Sequence, residues 1–423
     1  MTQVDSIQVE YSEDYGERII ELESQSNGKK SLVLLSLFPK PQYAMYYLGL
    51  FICVGGFVYG LNVSLISGAL LFLKTDMKLD TPQESLISSG MSLGGIGGAL
   101  LAIPFNEYLG AILEASSHSY GELVSGRVVL GMGVALGTMT IPIYASECFP
   151  KSRRGLRGMD RDEEREEFFM MEKVCHSEKE ASQDRWILFD LYRIPYCRKA
   201  CIHGILFMFF QQFSGTNSIL YFLGSMYRKA GLSVHDSIYV SMIGGGTLFL
   251  SSIPAIYMVD RYGRRPLLLI LTPGVLVGLI IIGCAFFSCC TDSLVAIYTV
   301  GVVFYYIFWG SSLGPIPFVM NAELYPNYLR SYGMSLGILS NFIGNWITSY
   351  AFLEMTQAMT KPGTFIGFYG GITAIGWFYF LLWVPETKNL SLEEIKDILD
   401  RPWKDILIHN INQRMGFHRK NNN

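Results

Sequence analysis

The chain has 423 residues, of which 50% are hydrophobic and only 16% charged, and its mean hydropathy is +0.30. A soluble domain carries about 25% charged residues, and disordered chains are less hydrophobic still. A net charge of -3 supplies no basic field for nucleic acid, so that partner class is excluded.

Charge-free runs then mark the elements in chain order. They cover residues 42–73, 85–106, 128–146, 200–227, 237–259, 266–291, 293–322, 331–353 and 362–385. A membrane helix needs ~20 such residues. Lipid offers backbone amides no partners, so each run is expected to be helical, or broken only against protein. The chain reads as an all-α membrane protein. The polar stretch 1–40 reads as an N-terminal tail and 386–423 as a C-terminal one. The tail sequence Ser391-Leu392-Glu393-Glu394 has capping-box spacing and predicts a short helix. Residues 159–199 form the one long linker, opening on a mixed-charge stretch suited to solvated helix. The eight cysteines and six histidines are dispersed, with no spacing of a metal site, and no cofactor is expected.

Positive charge sets orientation. Lys151, Arg153, Arg154 and Arg157 follow the third run, Arg261, Arg264 and Arg265 the fifth, and Arg330 the seventh, so these ends read as cytosolic. They also reveal a repeat. Glu147 is followed by Pro150 and Arg154, and Glu323 by Pro326 and Arg330, at identical spacing. Asp260-Arg261-Tyr262-Gly263-Arg264-Arg265 is half matched by Glu107-Tyr108-Leu109-Gly110, after which the arginine pair is missing. Repeated halves are a transporter signature, with substrate held between them. Asp260 to Glu323 spans 63 residues but Glu107 to Glu147 only 40. The shortfall of 23 residues is the length of one membrane span.

Polar residues inside the runs mark the candidate site. Gln211, Gln212 and Asn217 share one span, and Asn341 and Asn345 lie four apart on one helix face. A carboxamide both donates and accepts, as a hydroxyl does, so a cluster of amides suits a polyol. Interhelical hydrogen bonding is the competing reading. Gly215 between these amides would let its helix loosen beside the cavity.

These motifs resemble the sugar porter family of the major facilitator superfamily. The resemblance rests on Gly-Gly-Phe-Val-Tyr-Gly at 55–60, Gly126-Arg127, Pro-Ile-Tyr-Ala-Ser-Glu at 142–147, and Gln-Gln-Phe-Ser-Gly-Thr-Asn at 211–217. It continues through residues 260–265, Gly-Pro-Ile-Pro at 314–317 with Glu323 and Pro326, and Pro-Glu-Thr-Lys at 385–388. It implies a twelve-span fold in two halves, here with about nine spans: an incomplete first half at 41–158 and a six-helix second half at 200–385. It further implies a multi-pass plasma-membrane carrier of a hexose or polyol, not an enzyme. By resemblance, Gln211, Gln212, Asn217 and Asn341 match hexose-binding amides. Phe318 and Phe342 stand where tryptophans usually stack on sugar. Asn62 replaces the carboxylate of proton-coupled members, with Arg127 as its neighbour, which favours uniport. Proton symport and a transporter-like nutrient sensor are the alternatives. Arg127, Glu147, Arg154, Asp260, Arg264, Glu323 and Arg330 form the expected gating network, with each acidic residue paired to the arginine of its own motif.

Overall fold

A computed structural model describes residues 66–74, 76–100, 121, 124–125, 127–128, 191–288, 290–388, 390 and 392–414. All of them belong to the unit Tyr59–Asn423. They are helical, with no strand among the described residues. The runs at 42–73 and 128–146 fall largely outside them, and the gap at 111–122 almost wholly so.

Residues 66–74 and 76 are helical, and α1 (Thr81–Leu100) follows. The chain from 195 onward then forms α2 (Pro195–Phe213), α3 (Thr216–Lys229), α4 (Val234–Tyr262), α5 (Arg264–Ala285), α6 (Thr291–Ser311), α7 (Ile316–Glu323) and α8 (Asn327–Ala358). A π-helix (Gly363–Gly370) runs on into α9 (Gly371–Leu382), and the tail makes α10 (Leu392–Asp400) and α11 (Trp403–Arg414). By length and composition, Val234–Val259, Arg264–Ala285, Thr291–Glu323 and Gly363–Leu382 can cross a membrane. From residue 195 onward, the remaining long helical stretches, 195–229 and 327–358, are the ones that carry the amides.

Local chemistry explains the boundaries. Pro195 starts α2, where its missing N–H is harmless. The Ser233 hydroxyl accepts from the Asp236 N–H at 3.1 Å and donates to the Asp236 carboxylate at 2.7 Å, which caps α4. At the turn between α4 and α5, Gly263 has φ +96, and the cap of α5 comes from far along the chain. The Glu386 carboxylate accepts the N–H groups of Arg264 and Arg265, at 3.1 and 3.2 Å, on the positive end of the helix dipole.

Two of the long segments are interrupted. α2 and α3 break at Ser214 and Gly215, and Gly215 takes φ +90. α6 and α7 break between Ser312 and Pro315. Both breaks abut the aromatic core. Phe222 stacks on Phe352 at 5.2 Å, and Phe365, Tyr369, Tyr298, Tyr305 and Tyr306 are fully buried around them.

The tail folds back on α2 and α9. The Lys199 ammonium donates to the carbonyls of Leu399 (2.7 Å) and Arg401 (2.5 Å), a cation at the C-terminus of α10. The Asn410 amide donates to the Leu382 carbonyl at 3.0 Å and closes the end of α9.

Gly215→Ala should lower the melting midpoint of the detergent-solubilised chain. The left-handed backbone costs an L-residue ~1–2 kcal/mol, and the new Cβ would meet the Tyr369 ring at 2.8 Å. Gly246→Ala, whose Cβ would meet nothing within 4 Å, should leave the midpoint unchanged or raise it. Equal midpoints for Gly215→Ala and the parent chain would contradict the strained break.

Candidate functional site

The last turn of α2 presents Gln211 and Gln212, and the first turn of α3 presents Asn217. The break between them turns the three amides toward α6, α7 and α8. The Gln211 Nε2 group donates to the carbonyls of Leu313 and Gly314, both at 2.8 Å. Those carbonyls lie in the α6–α7 break, where helical partners are lost. The Gln211 oxygen accepts from Asn341 Nδ2 of α8 at 2.5 Å, and Asn217 Nδ2 donates to the Gln212 oxygen at 2.8 Å. Gln211, Gln212 and Asn341 are buried, at 1%, 5% and 7% exposure.

Among the described residues, this bonding leaves Gln212 Nε2, Asn217 Oδ1 and Asn341 Oδ1 open. One donor and two acceptors grouped on three helices are what vicinal hydroxyls require. The structure brings together the four amides expected from the sequence. Asn345 lies one turn beyond Asn341 and accepts from Ser349 at 3.0 Å, within its own helix.

Side chains of α6 bond to the backbone and side chains around the α2–α3 break. Tyr305 donates to the Ser214 carbonyl at 3.1 Å and Tyr306 to the Thr216 carbonyl at 2.9 Å. The Trp309 indole donates to the Ser214 hydroxyl at 2.9 Å. Sequence reasoning missed these three aromatics. Their spacing in α6, with two adjacent tyrosines and a tryptophan one turn on, is the signal that points to one helix face.

Phe318 and Phe342 join Ile338 and Ile96 in a small apolar cluster between α7, α8 and α1. Phenylalanine there keeps an apolar wall next to Asn341 but has no indole donor. Arg127 is fully buried. Asn62, Glu147 and Arg154 lie outside the described residues, and of Asp260 only the backbone is described.

At the arginine-rich end, the Arg264 guanidinium meets the Glu323 carboxylate at 2.7 Å. The pair thus joins two motifs, α5 to α7, where the sequence reading coupled Glu323 to Arg330. The second Glu323 oxygen accepts from the Thr387 hydroxyl at 2.6 Å. Arg265 donates to the Leu381 carbonyl at 2.9 Å. Glu386 and Thr387 thus belong to this charged end. They lie in the Pro385–Lys388 motif, to which the sequence reading gave no role. The opposite end has its own charge pair. Glu84 of α1, 1% exposed, meets Lys74 at 2.5 Å and accepts from Ser225 of α3 at 3.4 Å. That pair was also missed, since both residues stand just outside the charge-free runs.

The sequence profile described as sugar (and other) transporter matches residues 48–160 and 156–399. The chain belongs to this family. The myo-inositol transporter FST1 of Gibberella moniliformis is 32% identical, over 88% of this chain and 82% of that protein. The glucose transporter GlcP of Staphylococcus epidermidis is 27% identical, over 84% of this chain and 96% of that one. Among solved structures, a D-xylose–proton symporter superposes with a TM-score of 0.62 at 21% identity, covering 82% of this chain and all of that one. The inward-open xylose transporter XylE from E. coli gives 0.60 at 20% identity, covering 84% of this chain and 99% of that one. The fold is therefore that of the major facilitator superfamily, and this member of the sugar transporter family is a multi-pass membrane protein, not an enzyme.

Glu323→Ala should lower the melting midpoint, because it leaves the largely buried Arg264 without its carboxylate. The loss is roughly 1–3 kcal/mol, given that Glu323 is 25% exposed. An unchanged midpoint would mean that the pair is already solvated.

Proposed function

We propose that the amide cluster binds a polyol or hexose, a cyclic polyol such as myo-inositol foremost, and that the full transporter design is a facilitative plasma-membrane carrier working by alternating access. The observation that carries this reading is the junction of two broken helices, where Gln212, Asn217 and Asn341 keep open amide valences beside the Phe318–Phe342 wall. Similarity to a myo-inositol transporter supports the substrate class. Asn62 supports uniport, since an amide neither takes up nor releases a proton at physiological pH. If coupling to protons is lacking, uptake by a version with all twelve spans should ignore an imposed pH gradient, and alkalinisation accompanying accumulation would contradict uniport.

We further propose that this chain lacks three spans of the first half and binds substrate without carrying it. The match to the Gibberella protein extends over 470 aligned positions, whereas 88% of 423 residues is about 372. Roughly 98 positions therefore find no residue here, which is room for three spans of ~20 residues with their connections. The four amides all lie in the second half, so the binding wall is kept while the wall facing it is depleted.

Two measurements follow. Equilibrium binding of radiolabelled myo-inositol to the purified chain should weaken in Gln211→Ala and in Asn341→Ala, by roughly 1–3 kcal/mol each. Unchanged affinity in both would refute the site. In carrier-null cells, sugar uptake should be negligible for this chain and restored when the missing spans are supplied. Saturable uptake by these 423 residues alone would contradict the reading.

A further inference from the structure

Below the amide cluster, toward the arginine-rich end, lies a second carboxamide that the sequence does not single out. Asn321 of α7 is completely buried, and among the described residues neither its Nδ2 nor its Oδ1 has a hydrogen-bond partner. The side chain is wedged between two backbones. A Cβ at Gly204 of α2 would lie 2.3 Å from Oδ1, and one at Gly337 of α8 would lie 2.4 Å from Nδ2. Glycine at both places is what lets α7 close on its neighbours.

The same three helices hold the polyol-binding amides above. Gly204 precedes Gln211 by seven residues, Gly337 precedes Asn341 by four, and Asn321 follows Gly314 by seven. At 1.5 Å per helical residue, Asn321 lies roughly 6–10 Å along the helices from the cluster. One turn further on, the Tyr325 hydroxyl donates to the Ala200 carbonyl at 3.3 Å. Two residues beyond Asn321, Glu323 takes the guanidinium of Arg264. Asn321 thus stands on the line from the amide cluster to the charged end.

A buried amide with both ends unpaired raises the free energy of the state that buries it. Such a group is retained where another state satisfies it. α7 is the element free to supply that state. It is eight residues long and is cut from α6 by the Ser312–Pro315 break. When α7 moves away from Gly204 and Gly337, the amide is uncovered next to the cluster, with two donors and an acceptor ready for hydroxyls.

We infer that Asn321 is a second polyol-contacting amide, shut between α2 and α8 in this state and presented to substrate hydroxyls when α7 separates from them. The inference rests on the polyol reading of the cluster above. It also makes Asn321 a spring: the closed state is kept above its minimum by the unpaired amide, so opening is easier than it would be for an apolar residue.

The test uses the full chain in detergent, with the melting midpoint measured with and without saturating myo-inositol. Asn321→Val keeps the bulk and removes both unpaired groups. Its midpoint without sugar should rise, the reverse of the usual outcome for a buried substitution, and its shift with sugar should shrink to less than half that of the parent. Asn321→Ala, which asks for no space, should show the same loss of the sugar-induced shift, and serves if Val is too broad for the gap between the glycines. A midpoint that falls in both variants, with a full sugar-induced shift, would make Asn321 a packing residue and overturn the inference. Gln211→Ala separates the two levels of the argument. If the parent shifts with sugar and Gln211→Ala does not, the cluster binds polyol and Asn321 is judged on its own result. If the parent itself gives no shift, the polyol reading fails and this inference fails with it.

Discussion

A helix that breaks inside a bilayer exposes carbonyls and amides that lipid cannot satisfy, and this constraint organises the second half of the chain. Two helical segments break at the same level. The α6–α7 break is satisfied by Gln211 of α2, and the α2–α3 break by Tyr305, Tyr306 and Trp309 of α6. Each break is therefore repaired by side chains of the segment that carries the other. The repair brings the amides of α2, α3 and α8 into one place, and it leaves some of their hydrogen-bonding capacity unused. The proposed polyol site rests on that surplus. Its walls are a satisfied polar frame on one side and the Phe318–Phe342 cluster on the other.

The same economy governs the ends. Glu386 does in one carboxylate what a local cap residue does for other helices, and it ties the start of α5 to the segment after α9. Its neighbour Thr387 shares Glu323 with Arg264. Exposed pairs of this kind contribute little, but the small exposure of Arg264 and the shared carboxylate make this one a genuine joint between α5, α7 and the tail. At the other end the Glu84–Lys74 pair and Ser225 join α1, the preceding helix and α3. The proposed alternating-access reading uses a charged joint at each end and the amide cluster between them.

Much of this was legible in the sequence, for identifiable reasons. Long charge-free runs reveal helices because a bilayer forbids charge, so the second-half elements could be drawn with few errors. Gly215 signalled its break because it stands between polar residues in an apolar run. The amides Gln211, Gln212, Asn217 and Asn341 were conspicuous for the same reason. What the sequence hid were the partners. Tyr305, Tyr306 and Trp309 look like ordinary apolar filling until the carbonyls they serve are placed. The pairing of Glu323 with Arg264 depends on how α5 crosses α7, and motif spacing carries no information about that. Asn321 passed unnoticed because one amide beside Glu323 reads as the polar end of a span.

The proposed binding site is built at the two helix breaks, and hydrogen–deuterium exchange reads those breaks directly. The full chain would be exchanged with and without saturating myo-inositol, following peptides that cover 211–217 and 311–317. Polyol seated on Gln212, Asn217 and Asn341 predicts slower exchange in both peptides together, with little change in α5 and α9. Slowed exchange confined to other segments, or no change in either break while sugar is demonstrably bound, would contradict the account.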